Sequence, residues 1–117
     1  MKENIVKIKT FDFALRIVRL YQFLCDTKKE FILSKQLLRS GTSIGANVRE
    51  SEHSQSKADF INKLSISLKE ANETDYWIDL LFKADYIDQK QYDSLKFDID
   101  EILKLLVSII KSSKKNN

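Results

Sequence analysis

Glu50 and His53 stand three residues apart, the Glu-x-x-His spacing that sets a carboxylate and an imidazole on one helix face, as paired-metal sites in helical bundles require. Such a site needs the motif twice, and His53 is the single histidine, so one chain cannot complete it. Arg49, separated from His53 by three intervening residues, adds a cation able to hold a phosphate beside a general acid–base group. That pair is the only basis for RNA cleavage, and its separation is short for the task. Cys25, the single cysteine, falls on an apolar helix face and reads as core packing before it reads as a nucleophile. Glu70 and Glu73 form a carboxylate pair, but no nucleophile or metal ligand accompanies them, so pairing with Lys or Arg is the expectation. Gly41 and Gly45 lack the Lys-Ser/Thr that completes a phosphate-binding loop. No catalytic residue, metal or cofactor is therefore expected.

Basic residues carry a stronger signal. Lys9, Arg16 and Arg19 lie along one edge of the first helical segment, and Arg39, Arg49 and Lys57 belong to the second and its exit. A surface for RNA or DNA needs such a cluster, and its affinity would fall steeply with salt. Residues 1–57 hold eleven Lys/Arg against six Asp/Glu, whereas residues 58–110 hold six against eleven. This asymmetry within a net charge of +3 fits either a polyanion partner or opposite charges paired between antiparallel helices. The second is the commoner cause.

The elements that must position these residues are helices. The chain has 117 residues, 43% hydrophobic and 32% charged, with no proline and two glycines. That composition is globular and lacks the turn residues of a β-sandwich or barrel. One cysteine rules out an internal disulfide and a Cys-rich zinc site, and no apolar run matches a membrane span or a secretory leader. A reduced, cytoplasmic protein of one domain is expected. Phe13, Ile17, Leu20 and Leu24 mark a helix over about 10–26. Phe11, Ala14, Val18, Tyr21 and Cys25 make its other side apolar too, which suggests deep burial or a second subunit. Thr27 with Glu30 reads as a capping box opening a helix over 28–54, with Leu33, Leu37, Ile44 and Val48 on its core face. A loop at Ser40-Gly41 is the simple alternative, but the apolar phase survives across it, so the glycines are expected to let another helix approach. Gln36, Ser40, Ser43, Asn47 and Glu50 make a polar ladder beside that stripe, either a wetted face or a hydrogen-bonded seam. Ser56 with Asp59 opens a helix over 57–84, and Asp88 with Gln91 a fourth over 89–112, followed by a polar tail, 113–117. Short connections between long helices predict an all-α, antiparallel up-down-up-down four-helix bundle.

The run Gln36-Leu37-Leu38-Arg39-Ser40-Gly41-Thr42-Ser43-Ile44-Gly45-Ala46-Asn47-Val48-Arg49-Glu50 resembles the signature of the bacterial 23S rRNA intervening-sequence proteins. Ser56 to Phe60, Lys69-Glu70-Ala71 and Glu73-Thr74-Asp75-Tyr76-Trp77 are similar to that family's third helix, and Phe13-Ala14 with Arg16-Ile17-Val18 to its first. The resemblance covers about residues 10–85. It implies a four-helix bundle assembling into a homopentameric, barrel-like ring, with no established activity for most members. The chain is also similar to the accessory variability determinant of diversity-generating retroelements, a basic ring that binds nucleic acid and a reverse transcriptase; the present chain is less basic. On this footing Ser40, Ser43, Asn47 and Glu50 become an internal polar seam, with Glu70 and Glu73 opposite as partners for Arg39 or Arg49. The resulting expectation is a non-enzymatic homo-oligomer whose first two helices engage RNA or DNA. Its alternative is a protein-interaction scaffold with no nucleic-acid binding.

Overall fold

The structure, a computed structural model, describes residues 1–115. It contains four helices, α1 (Lys2–Asp26), α2 (Leu33–Ser51), α3 (Lys57–Lys83) and α4 (Gln89–Lys115), and no strand among the described residues. Each helix packs against two others: α1 and α3 both lie between α2 and α4. The result is a rod of 49 × 22 × 19 Å. None of these helices is long and apolar enough to cross a membrane.

The core follows the heptad-like spacings. Phe13, Ile17, Leu20 and Leu24 of α1, Leu37, Ile44 and Val48 of α2, and Leu95, Ile99, Ile102, Leu106 and Ile109 of α4 are all buried. On α3 the buried set is Leu64, Ser67, Ala71, Thr74, Ile78 and Leu81. Phe60, Leu68 and Phe82 are only partly buried against it.

Three boundaries differ from the sequence expectation, each for a local reason. α1 starts at Lys2, not near Thr10, because Val6 and Thr10 continue the core stripe by another two turns. Thr10 enters the core as a hydroxyl at no cost, since its Oγ1 donates to the Val6 carbonyl at 2.7 Å. α2 begins at Leu33, not Lys28. Thr27 closes α1, and Lys29 adopts a left-handed backbone with φ of 56° that ends the helical run. Glu30 does cap α2, but from outside it: its carboxylate accepts from the amides of Ile32, Leu33 and Ser34 at 3.1, 3.0 and 2.7 Å. At the other end α2 stops at Ser51 and not at residue 54, as the amides of Glu52, His53 and Ser54 bond back three residues. The remaining two caps form as expected. Ser56 Oγ accepts from the Asp59 amide, and Asp88 and Gln91 bond each other's amides. α4 continues through Ser113 to Lys115, so the predicted polar tail is helical that far; Asn116 and Asn117 lie outside the described residues.

α2 is continuous through both glycines, and they face α1. A Cβ on Gly41 would stand 2.8 Å from Ile17 Cγ2, and one on Gly45 would stand 3.1 Å from the Thr10 carbonyl oxygen. Absence of side chains at these two positions is therefore what lets α1 settle onto α2.

Candidate nucleic-acid interface and polar seam

The six basic candidates do not converge on one patch, and half of them are already neutralised. Lys9 Nζ lies 3.1 Å from Glu101, and Arg16 bridges to Asp98 at 2.7 Å and donates to the Ser94 carbonyl at 3.2 Å, both from α1 to α4. Arg39 reaches from α2 to α3, pairing with Glu70 at 3.1 Å and with Glu73. Arg49 packs over the Phe11 ring, 5.6 Å from its centroid. Arg19 and Lys57 are exposed and have no ion-pair partner among the described residues. Lys57 opens α3, so it lies close in sequence to the end of α2 and remote from Arg39. The basic front half thus meets the acidic back half inside one chain, across the α1–α4 and α2–α3 seams.

The polar seam is narrower than expected. Ser40 is buried and accepts from Thr74 Oγ1 at 2.9 Å, which joins α2 to α3 through two hydroxyls in the core. Ser43 and Asn47 are only half-buried and serve their own helix, bonding the carbonyls of Arg39 and Ser43. Glu50 is exposed and faces Lys63 at 3.6 Å. Glu70 and Glu73 do oppose α2, holding Arg39, and Glu73 also accepts from Trp77 Nε1 at 2.9 Å. Arg49 takes no part. Two members were missed from the sequence: Ser67, whose Oγ donates to the Ile44 carbonyl at 2.8 Å, and Thr74. Both sit at the core spacing of α3 (64, 67, 71, 74, 78), and that periodicity was the signal available.

A second ionic cluster joins α3 to α4. Lys96 contacts Asp75 and, at 3.2 Å, Asp79, while Tyr92 donates to Asp79 at 2.8 Å and stacks on Phe82. Burial works against the charged Lys96, but the two carboxylates outweigh it and raise its pKa. The hydrogen bond to Asp79 raises that of Tyr92. Glu30 behaves in the opposite sense: burial pushes its pKa up, and the three backbone amides that it accepts from bring it below the ordinary carboxylate range.

The groups singled out for chemistry do not assemble. Glu52 pairs with Lys7 and Glu50 with Lys63, leaving exposed His53 without a ligand set. Among the described residues no three His, Cys, Asp or Glu side chains are placed to hold a metal. Cys25 Sγ rests 3.8 Å from Ser34 Oγ, partly buried at the α1–α2 junction.

Residues 2–108 match the family described as 23S rRNA-intervening sequence protein. The chain belongs to that family. Its fold agrees with a crystal structure from Bacteroides thetaiotaomicron VPI-5482 of a protein with unknown function from the S23 ribosomal protein family. The TM-score is 0.94 at 63% identity, covering 95% of this chain and 99% of that one. No curated protein matches. Within the runs that carried the resemblance, Gly41 and Gly45 lie against α1, and Arg39 and Ser40 meet Glu70, Glu73 and Thr74 of α3.

Proposed function

We propose that this family member is a non-catalytic, self-assembling helix-bundle scaffold: an up-down-up-down bundle that joins copies of itself into a closed ring, the pentamer that the family resemblance implies. One observation carries the reading. α1 is apolar on the side turned away from the core, where Ile5, Ile8, Phe11 and Leu15 are 43%, 62%, 56% and 44% exposed. A contiguous exposed apolar stripe of this kind marks an interaction surface. The up-down-up-down order is supported by Lys7 near the start of α1 meeting Glu52 just past the end of α2, and by Glu50 meeting Lys63 and Asp75 meeting Lys96, which pair the later part of one helix with the earlier part of the next. Pairing of Lys9, Arg16 and Arg39 with carboxylates favours the scaffold over a dedicated nucleic-acid surface. Native mass spectrometry with light scattering tests assembly: the wild type is expected as an oligomer and Ile8→Asp/Phe11→Asp as a monomer. A monomeric wild type at micromolar concentration rejects the reading.

A second reading, electrostatic binding of RNA or DNA by the ring, is supported by Lys28, Lys29, Lys35 and Lys57, exposed residues without a carboxylate partner among the described residues. A ring would present each of them several times. Failure to bind either polymer at about 50 mM salt, where such contacts are strong, removes it.

A further inference from the structure

The connection between α1 and α2 holds the one pair of neighbouring large apolar residues that are both exposed among the described residues. Phe31 is 52% and Ile32 76% open to solvent, whereas Leu33, the next residue, turns back against the core. The pair is held outward by its surroundings. Lys29 reverses the backbone, the Glu30 amide donates to the Leu24 carbonyl at 2.9 Å, and the Ser34 hydroxyl donates to the Glu30 carbonyl at 2.8 Å. The buried Glu30 carboxylate meanwhile accepts from the Ile32, Leu33 and Ser34 amides. Two apolar side chains are thus presented beyond the end of α1 on a braced turn, which has little backbone freedom left to lose on binding.

We infer that this turn docks onto an anionic lipid surface, with Phe31 and Ile32 entering the boundary between headgroups and acyl chains and the lysines beside them held at the phosphates. The charges around the pair select that partner. Lys28, Lys29 and Lys35 are exposed without a carboxylate partner among the described residues, and Lys28 lies over the Phe23 ring, 5.9 Å from its centroid. Of the two acids of the turn, Asp26 is exposed, while the Glu30 charge is spent on backbone amides and faces inward. The α3–α4 connection, which the up-down-up-down order sets at the same end, adds Lys83 and Lys90 against Asp85 and Asp88, and these cancel. Three cations therefore stand against one exposed carboxylate around the apolar pair. Apolar insertion and basic attraction are the two signals that reversible membrane docking combines. A convex pair suits a lipid layer, which yields around it, whereas a protein partner has to supply a matched pocket. Meeting the same turn of a second copy would set Lys28 and Lys29 against their own likes. The contact is with the face of a bilayer, since no helix among the described residues is long and apolar enough to cross one. The turn lies away from the first half of α1, where Ile5, Ile8, Phe11 and Leu15 stand, so docking and assembly succeed or fail independently. Copies joined through that stripe would add avidity at the lipid surface.

Co-sedimentation with vesicles tests the docking, using phosphatidylglycerol mixed with phosphatidylcholine and phosphatidylcholine alone. The wild type is expected to bind the anionic vesicles in about the millimolar range of lipid, more weakly than a single acyl chain does. It should release as salt rises and leave the neutral vesicles unbound. Phe31→Ser/Ile32→Ser should weaken binding about tenfold or more, and Lys28→Gln/Lys29→Gln about thirtyfold. All four positions are exposed, and helical circular dichroism checks that the variants are folded. If the apolar double variant is not, Ile32→Ser alone, at the more exposed of the two sites, decides. No binding of anionic vesicles by the wild type overturns the docking and leaves the turn to a protein partner. Binding that survives loss of Phe31 and Ile32, or that is equal on neutral vesicles, overturns it as well. So does a changed oligomeric state of Phe31→Ser/Ile32→Ser in native mass spectrometry, which would assign the turn to contacts between copies. A monomeric wild type that still binds anionic vesicles upholds the docking and rejects only the assembly reading.

Discussion

Gly41→Ala is the sharpest probe of why α2 carries glycine in mid-helix. Alanine is the better helix former by about 1 kcal/mol, so an unconstrained site would gain that much. At Gly41 the new Cβ would lie 2.8 Å from Ile17 Cγ2 and 2.9 Å from Cγ1, and Ile17 is fully buried with no solvent to swing into. Relief requires α1 and α2 to separate by a good fraction of an ångström, and overpacking of that kind costs about 1–3 kcal/mol. The net expectation is a loss of up to about 2 kcal/mol, seen as a fall in melting temperature of up to several degrees at fixed protomer concentration. Trimming Ile17 to alanine removes both Cγ atoms and leaves only its Cβ, 3.3 Å away. Ile17→Ala alone should cost about 2–5 kcal/mol, but Gly41→Ala added to it should then be neutral or stabilising. Chemical denaturation of the four proteins closes the cycle. Stabilisation by Gly41→Ala in the wild-type background, or strictly additive costs, would refute the close-approach account.

Two further outcomes follow from the polar contacts. Glu30 has a lowered folded-state pKa, so its contribution is present above the ordinary carboxylate range and is lost as pH falls through the folded value. The stability gap between wild type and Glu30→Gln should therefore be widest near neutral pH and should shrink on acidification; a gap independent of pH would contradict the capping role. Glu73→Ala should cost no more than about 1 kcal/mol, because Arg39 is half-exposed and keeps Glu70, and Trp77 Nε1 is left to find water. A loss of several kcal/mol in thermal unfolding would mean that the clamp is far less solvated than its exposure indicates.

The bundle was legible in the sequence wherever burial follows helical period, as along Phe13-Ile17-Leu20-Leu24 and Leu95-Ile99-Ile102-Leu106. It was harder to read where a polar residue occupies a core position. Thr10 read as the edge of α1 although its hydroxyl is satisfied by the Val6 carbonyl inside the core, and Ser67 and Thr74 keep the core period of α3 but find their partners, the Ile44 carbonyl and Ser40, on another helix. Thr27 with Glu30 read as a capping box, but Thr27 ends α1 and Glu30 caps α2 from outside, and the backbone reversal at Lys29 that moved the helix start has no signature in a lysine. The candidate basic surface failed differently. Sequence displays charges one at a time, and whether Lys9, Arg16 and Arg39 face water or a carboxylate depends on register between helices far apart in the chain. The glycines were the reverse case, since their need for a close neighbour was plain and only the identity of that neighbour, α1, had to come from the fold.

The α1–α4 seam differs in kind from the other three. α1–α2, α2–α3 and α3–α4 each join consecutive helices, so those contacts close over a short connection, whereas α1 meets α4 only by closing nearly the whole chain. Its loop-closure entropy is the largest in the molecule, and it is fastened by partly solvated ion pairs at Lys9–Glu101 and Arg16–Asp98. Contacts of such long sequence separation are expected to form late in folding and to open early, an order that hydrogen exchange of the α1 and α4 amides would check. The bundle is in that sense a strip of consecutive helix pairs with a clasp, and the clasp is where its earliest exchange with solvent is expected.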